Sequence, residues 1–397
     1  MRREDFSSDA PGKLVKTTHG VWAFVPDPPP RSLALNAEAI KLLATAERSL
    51  GRLGGVTRRE FNPYLISSPL LRREAILSSR IEGTVTTPEQ LVLLEIEESE
   101  VVNAPARTRD ADTEEVLNYV RAMRHGLRRL ADLPVSLSLF REVHRVLLSG
   151  VRGQRHEPGE FRRSQNFIGA PGIDSIQHAR FVPPPVPQMR ENLDEFEKYL
   201  HDEKVDLPLL VKLAVSHYQF EAIHPFRDGN GRVGRLLIPL IMVAQERLDD
   251  PLLYLSAYFE RNRTEYVDLL LQVSQEGAWL PWVKFFLRGV AATAEDACQQ
   301  AEDIMALRQN YHRRFQTDRS SARIIRLIDE LFQTPSITIN GAARILELSH
   351  QGAANNIHKL ERAGVLREVT GQRRNQVFMA DEILRFTYDR PEGRDDA

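Results

Sequence analysis

His224-Pro225-Phe226-Arg227-Asp228-Gly229-Asn230-Gly231-Arg232-Val233-Gly234-Arg235 joins two stretches of helical apolar spacing, one from Leu207 to Ile223 and one continuing from Leu236. Pro225 disfavours helical geometry at His224, so the first helix ends there and His224 projects from its last turn. Gly229 and Gly231 flank Asn230, which can cap the second helix, and backbone N–H groups converge there as they do at anion sites. Arg232 and Arg235 fall in the opening turns of that helix, where a cation opposes the macrodipole by about 0.3–1 kcal/mol. A bound polyphosphate would turn both arginines into a clamp. Asp228 supplies the hard oxygens that a phosphate-bridging Mg²⁺ prefers. An ordinary helix–loop–helix accounts for any one of these residues, but not for the whole set within one short segment.

Outward from this segment the chain reads as helical. Ser68-Pro69 is a helix start, with Ser68 as N-cap and Pro69 at the first helical position, and Gly83 is the stop, giving a helix from Pro69 to Glu82. Ser78 and Glu82 lie on one face of it, four residues apart. Glu82 stands at the helix C-terminus, the unfavourable end for an anion, which at a solvated surface costs little. A second start follows at Thr87-Pro88-Glu89, and the polar stretch Asn103 to Asp112 is a candidate boundary. Apolar residues recur at helical spacing between Thr113 and Gly150.

Three segments break the helical pattern. Residues up to about Arg31, with the Pro28-Pro29-Pro30 run, read as an arm laid on the surface of something else. Between Phe161 and Pro185, two short extended runs separated by Gly169, Gly172 and Asp174 read as a small hairpin. Ser320 to Phe378 gives three short helices and a hairpin-like segment with Gly371 at its tip, the pattern of a winged helix. Gln351, Asn355, Asn356, His358 and Lys359 mark its recognition helix, and Arg367, Arg373 and Arg374 its wing. Those arginines are the local basic patch that DNA binding requires, although Glu347, Glu361 and Glu368 dilute it. DNA and protein remain equally open as its partner.

At 397 residues the chain is too long for one ordinary core. A formal net charge of -2 draws it neither to nucleic acid nor to lipid, so any such binding must be local. The lone Cys298 can form no internal disulfide, which fits a reducing compartment. There is no signal-peptide-like start, and the best apolar run, Leu236 to Ala244, is too short to span a bilayer. The expected location is the cytoplasm, with no membrane partner.

The 224–235 segment resembles the Fic family signature, His-x-Phe-x-Asp/Glu-Gly-Asn-Gly-Arg-x-x-Arg, at every specified position. What the resemblance implies is nucleotidyl transfer, usually of AMP from ATP to a Ser, Thr or Tyr hydroxyl of a protein. His224 would be the catalytic base, and Asp228 would hold Mg²⁺. Gly229, Asn230 and Gly231 would cradle phosphate oxygens, Arg232 would neutralise charge on the departing pyrophosphate side, and Arg235 would reach the γ-phosphate. The 161–185 hairpin resembles the family's flap, along which a protein substrate pairs as an added strand. Residues in Tyr258 to Tyr266, Arg261 and Asn262 named among them, would wall the adenine pocket, and Gln219 is a further candidate for the ATP pocket. Ser78-x-x-x-Glu82-Gly83 resembles the family's inhibitory motif, which implies that Glu82 pairs with Arg235 and takes the room of the γ-phosphate. Self-modification, a homodimer and removal of AMP as a reverse activity are consistent with the resemblance.

The expected architecture is mainly α. It comprises an N-terminal arm and helical domain with the inhibitory motif (1–112), a Fic-fold core with a β-hairpin flap (113–290), a connecting helix (291–319) and a C-terminal winged helix-turn-helix (320–397). Two other readings stay open: a nucleotide-sensing, DNA-binding transcriptional regulator, and transfer of UMP or another phosphate-linked group.

Overall fold

Side-chain caps from Asp110, Ser136, Thr338 and Ser349 start four of the helices in the computed structural model, which describes residues 1–57, 62–99, 110–169, 175–316 and 321–388. Two strands come first, β1 (Gly12–Lys16) and β2 (Trp22–Pro26), followed by α1 (Ala37–Thr57), α2 (Tyr64–Ile81), α3 (Pro88–Ser99), α4 (Ala111–Arg129) and α5 (Leu137–Leu147). Then come α6 (Val186–His201), α7 (Leu209–Ile223), α8 (Asn230–Ala244), α9 (Ser256–Arg261), α10 (Arg263–Glu276) and α11 (Trp279–Phe315). The last stretch holds α12 (Ser321–Gln333), β3 (Ser336–Thr338), α13 (Ile339–Leu346), α14 (His350–Arg362), β4 (Arg367–Glu368), β5 (Val377–Met379) and α15 (Asp381–Tyr388). The protein is mainly helical, as expected, with only small antiparallel sheets among the described residues.

Several local expectations give way to tertiary context. α2 begins at Tyr64, not at Pro69: the Asn62 side chain accepts from the Tyr64 N–H at 3.1 Å, and Pro69 sits inside the helix. Ser68 is therefore not an N-cap. The helix end is as read, and its geometry is a Schellman turn, with Thr84 N–H bonding Ser79 O at 3.0 Å, Gly83 N–H bonding Arg80 O at 3.0 Å and Gly83 at φ 89°. The first thirty residues are no loose arm: β1 and β2 pair antiparallel from Gly12↔Pro26 to Lys16↔Trp22, and Phe24 is fully buried.

The hairpin expected over 161–185 reduces to one antiparallel bridge, Ile168↔Phe181, with a short 3-10 turn at Ile176–His178. Its returning limb gives the Val182 carbonyl to the Phe24 N–H of β2 at 2.9 Å, so it is anchored to the N-terminal hairpin as well as to its own partner limb. Gly172 and Asp174 lie outside the described residues, as do most of the Asn103–Asp112 boundary and the 319/320 boundary.

A break at 290/291 is not seen, because α11 runs uninterrupted for 37 residues, about 55 Å at the usual rise. Gly289 is tolerated within it because the Tyr258 ring packs 2.8 Å from where a Cβ would be. One large hydrophobic core takes in Phe24, both central helices α7 and α8, and α11 as far as Ala301. A second core holds Ile304 to Phe315 of α11 together with α12, α13, α14 and the small sheet of order β3-β5-β4. α2 enters both, with Leu65 in the second core and Ile66 to Ile81 in the first.

Candidate active site

α7 ends one residue before His224, which adopts a left-handed backbone at φ 49° and ψ 59°. That conformation costs of order 1 kcal/mol or more for a residue with a Cβ and persists only where its surroundings enforce it. They do so here through four side chains. Arg162 donates from Nε to His224 O at 3.0 Å, and its own N–H bonds Pro225 O at 2.9 Å. Asn166 Nδ2 donates to the carbonyls of His224 and Phe226 at 3.2 and 2.9 Å. Asn230 does not cap α8 with its side chain, as the sequence suggested; it folds back onto Phe226, accepting its N–H at 2.8 Å and donating to its carbonyl at 2.9 Å. His144 stacks on the Phe226 ring at 3.8 Å, accepts the Gly159 N–H on Nδ1 and donates from Nε2 to Asp228 O at 3.0 Å. Burial pushes His144 down to about 4, which keeps it neutral in that dual role.

His224 Nδ1 lies 3.2 Å from Glu221 O. A carbonyl only accepts, so Nδ1 carries the hydrogen and Nε2 keeps its lone pair. Burial, outweighing the Glu221 carbonyl and nearby carboxylates, moves the imidazole down to about 4. The ring is therefore a neutral base with its free nitrogen fixed by tautomer.

Gly229, at φ 76°, turns the chain into α8, and the first N–H groups of that helix have no intrahelical partner. Glu82 lies directly over this turn: a Cβ on Gly231 would come within 2.4 Å of Glu82 Oε1. Arg235, almost wholly buried, donates from Nη2 to Glu82 Oε1 at 2.7 Å, from Nε to Ser78 Oγ at 2.8 Å and from Nη2 to Ser78 O at 2.9 Å. Burial would raise the Glu82 carboxyl, but Arg235, with Arg232, outweighs it and leaves Glu82 below the ordinary carboxylate range. The two unfavourable placements read from sequence, an anion at one helix end and a cation at another helix start, are thus brought together. Asp228 stands at the mouth, its Oδ1 accepting the Gly229 N–H at 2.6 Å.

These groups line a cavity of about 480 Å³ whose far wall is formed by Tyr218, Val267, Leu270 and Leu271, with Arg263 and Thr264 beside them. Of the three residues expected at an ATP pocket, none lines this cavity. Gln219 donates to Asp27 O, Asn262 donates to Tyr258 O, and Arg261 ends α9. The wall begins instead at the next residue, Arg263, because α10 rather than α9 faces the opening. Sequence reading also missed Glu221, whose carboxyl lines the cavity and is raised to about 7 by burial, against the pull of Arg235. An acid three residues before the histidine in a mostly apolar helix was the available signal.

The Fic/DOC family N-terminal profile matches residues 40–128, and the Fic/DOC family profile matches residues 134–242. The chain belongs to the Fic/DOC family. Glu82 falls in the first matched segment and Arg235 in the second, so their ion pair ties the two together. Among curated relatives, the chain is 34% identical over 152 residues to "Protein adenylyltransferase Fic" of Aedes aegypti, covering 38% of this chain and 27% of that one. It is 28% identical over 276 residues to "Protein adenylyltransferase fic-1" of Caenorhabditis elegans, covering 66% and 50%. The chain thus spans between about a quarter and a half of the length of these relatives. A Fic family protein from Desulfovibrio desulfuricans shares the fold with a TM-score of 0.54 at 20% identity, over 88% of this chain and 97% of that one.

Proposed function

We propose that this Fic protein is a protein adenylyltransferase that moves AMP from ATP to a protein hydroxyl, its own included, and that Glu82 restrains it. The observation that carries the reading is the neutral His224, with Nε2 free of any hydrogen bond among the described residues, set beside a helix N-terminus whose anion cradle is covered by Glu82. In the transfer, the target oxygen bonds to the α-phosphorus, the bond from that phosphorus to the bridging oxygen breaks, pyrophosphate leaves, and the hydroxyl proton passes to His224 Nε2. The N–H groups at Gly229–Gly231 and the two arginines hold charge where it develops, which is the larger part of catalysis in this chemistry. The apolar wall of Val267, Leu270 and Leu271 offers a face to the nucleobase.

No group of three or more metal-ligating side chains occurs among the described residues. The lone, partly exposed Asp228 carboxylate suits a Mg²⁺ that arrives on the nucleotide's phosphates, since magnesium commonly takes one or two carboxylates plus phosphate oxygens. When bound, the ion would neutralise phosphate charge.

The bridge limb at Ile168 and Phe181 lines the same cavity and is the edge along which a target strand would lie. In the C-terminal unit, α12, β3, α13, α14 and the β4–β5 hairpin follow in the order of a winged helix, with Arg373 and Arg374 exposed near the hairpin's tip, which supports DNA as its partner. Among the described residues no helix is long and apolar enough to cross a membrane, and the buried single Cys298 suits a cytoplasmic setting. Incubation with α-labelled ATP and Mg²⁺ tests the central reading: label should appear on protein, and its absence from both wild type and Glu82→Gly would overturn it. Label from UTP in preference to ATP would favour the other nucleotidyl donor.

A further inference from the structure

Arg232 is held by a different set of groups from Arg235 and, unlike it, does not line the cavity. Its guanidinium is buried, with Nη1 3.4 Å from Glu115 Oε2, Nη2 3.8 Å from Asp228 Oδ1, and Nε buried without any partner. Glu115 belongs to α4 and is itself buried. Its other oxygen accepts from Arg152 Nε at 2.6 Å, and Thr84 Oγ1 donates to Oε2 at 3.1 Å. Thr84 is not an isolated contact. The Val85 N–H bonds Asp112 Oδ2 at 3.0 Å, and Thr86 Oγ1 lies 2.6 Å from Thr113 Oγ1. The three residues that follow the Glu82-Gly83 turn are therefore fastened, one after another, to the first turns of α4. The carboxylate that fastens the first of them also aims Arg232.

We propose that Glu115 is the positioning residue of Arg232, holding the guanidinium toward the phosphates that leave and, through Thr84, setting it in fixed register with the inhibitory turn. This rests on the adenylyltransferase reading, and it adds a residue that the signature motif does not contain. A buried carboxylate shared by two arginines and a threonine restricts a side chain that otherwise has wide rotamer freedom. On the adenylyltransferase reading Arg232 serves the pyrophosphate side, so the effect of Glu115 belongs to the polyphosphate part of the donor and not to the AMP part.

The test uses full-length protein carrying Glu82→Gly, so that the cradle is uncovered, and calorimetric binding of ATP, pyrophosphate and AMP. Glu115→Asp keeps the charge but withdraws the carboxylate by one methylene. Affinity for ATP and pyrophosphate should fall about tenfold while AMP stays within about twofold. In an Arg232→Met background the same change should have no further effect. Unchanged pyrophosphate binding in Glu115→Asp overturns the proposal. So does an equal loss of AMP binding, or a loss that persists undiminished alongside Arg232→Met. If the Glu82→Gly parent binds neither ATP nor pyrophosphate, the adenylyltransferase reading falls and takes this inference with it.

Discussion

The loop from His224 to Asn230 and the limb from Phe161 to Pro185 face each other across one cavity and are built in opposite ways. The loop has its backbone tied at His224, Phe226 and Asp228 by the side chains of Arg162, Asn166, Asn230 and His144, although it contains a left-handed histidine and a left-handed glycine. The base of the limb supplies Arg162 and Asn166 to that loop and is closed by Arg162 Nη2 and Gln165 Nε2 donating to the carbonyls of Pro184 and Pro183, but beyond Asn166 the limb has a single β-bridge and leans on the N-terminal hairpin. On the proposed function, the groups that would meet a phosphorus atom are fixed in advance, while the edge that would take a polypeptide stays sparsely committed. The difference teaches that chemistry and target choice are separable here.

Breaking the loop should cost most. His224→Ala should lower label transfer by about 10²–10⁴-fold with ATP affinity nearly unchanged, measured as initial rates beside binding isotherms. Substantial residual transfer would take the proton-accepting role away from the imidazole. Next in size, Glu82→Gly should raise the initial rate by about tenfold or more, since alignment of the α-phosphorus can be worth several kcal/mol of barrier. Arg235→Ala should not reproduce that gain, because it opens space while deleting a clamp. A Glu82→Gly rate no higher than wild type would return Glu82 to the status of a structural counter-ion.

The limb should be the softer target. Ile168→Pro removes the N–H that bonds Phe181 O at 2.8 Å, and transfer to a protein acceptor should fall about fivefold, the worth of about 1 kcal/mol, with ATP binding within about twofold. Equal losses in both would merge the two regions into one functional unit. The smallest effect concerns pH. Burial holds His224 near 4, below the usual histidine value of about 6.5, so the base stays unprotonated across the interval between them. In Glu82→Gly the acid limb of kcat/KM should lie below that of a free imidazole, and an acid limb at or above 6.5 would contradict the neutral tautomer. The sign for stability follows: between about 4 and 6.5 the unfolded chain binds the extra proton, so this group's contribution is lost as pH falls through that window.

The motif was legible because its residues violate local rules together: glycines bracketing an amide, and cations at a helix start. Helix ends with their own chemistry were legible too, as at Gly83. The start of α2 was not, because Ser68-Pro69 imitates a cap while the Asn62 side chain and the burial of Leu65 and Ile66 carry the helix a turn further. Arg162, Asn166, His144 and Glu115 were invisible for another reason. Each comes from a distant part of the chain, and each looks like an ordinary polar residue until the fold sets it against the loop. The Tyr258–Tyr266 stretch does supply Arg263, Thr264 and Tyr266 to the cavity wall, but Arg261 and Asn262 do not line it, because neither periodicity nor composition tells which of two adjoining helices, α9 or α10, turns its face to the opening.

α2 puts Leu65 of its first turn in the C-terminal core and its apolar residues from Ile66 to Ile81 in the larger core, with Arg72 buried and bonded to Gln333 O at 2.7 Å. Its amide hydrogens can therefore exchange with solvent deuterium only through openings that loosen both cores together, and they should be among the slowest in the chain. A carboxylate carried on so protected a helix is not released by unwinding. Glu82 sits past the last helical residue, so the motion open to it is a swing of its own side chain about the Schellman turn, fast and local, while the helix behind it stays still.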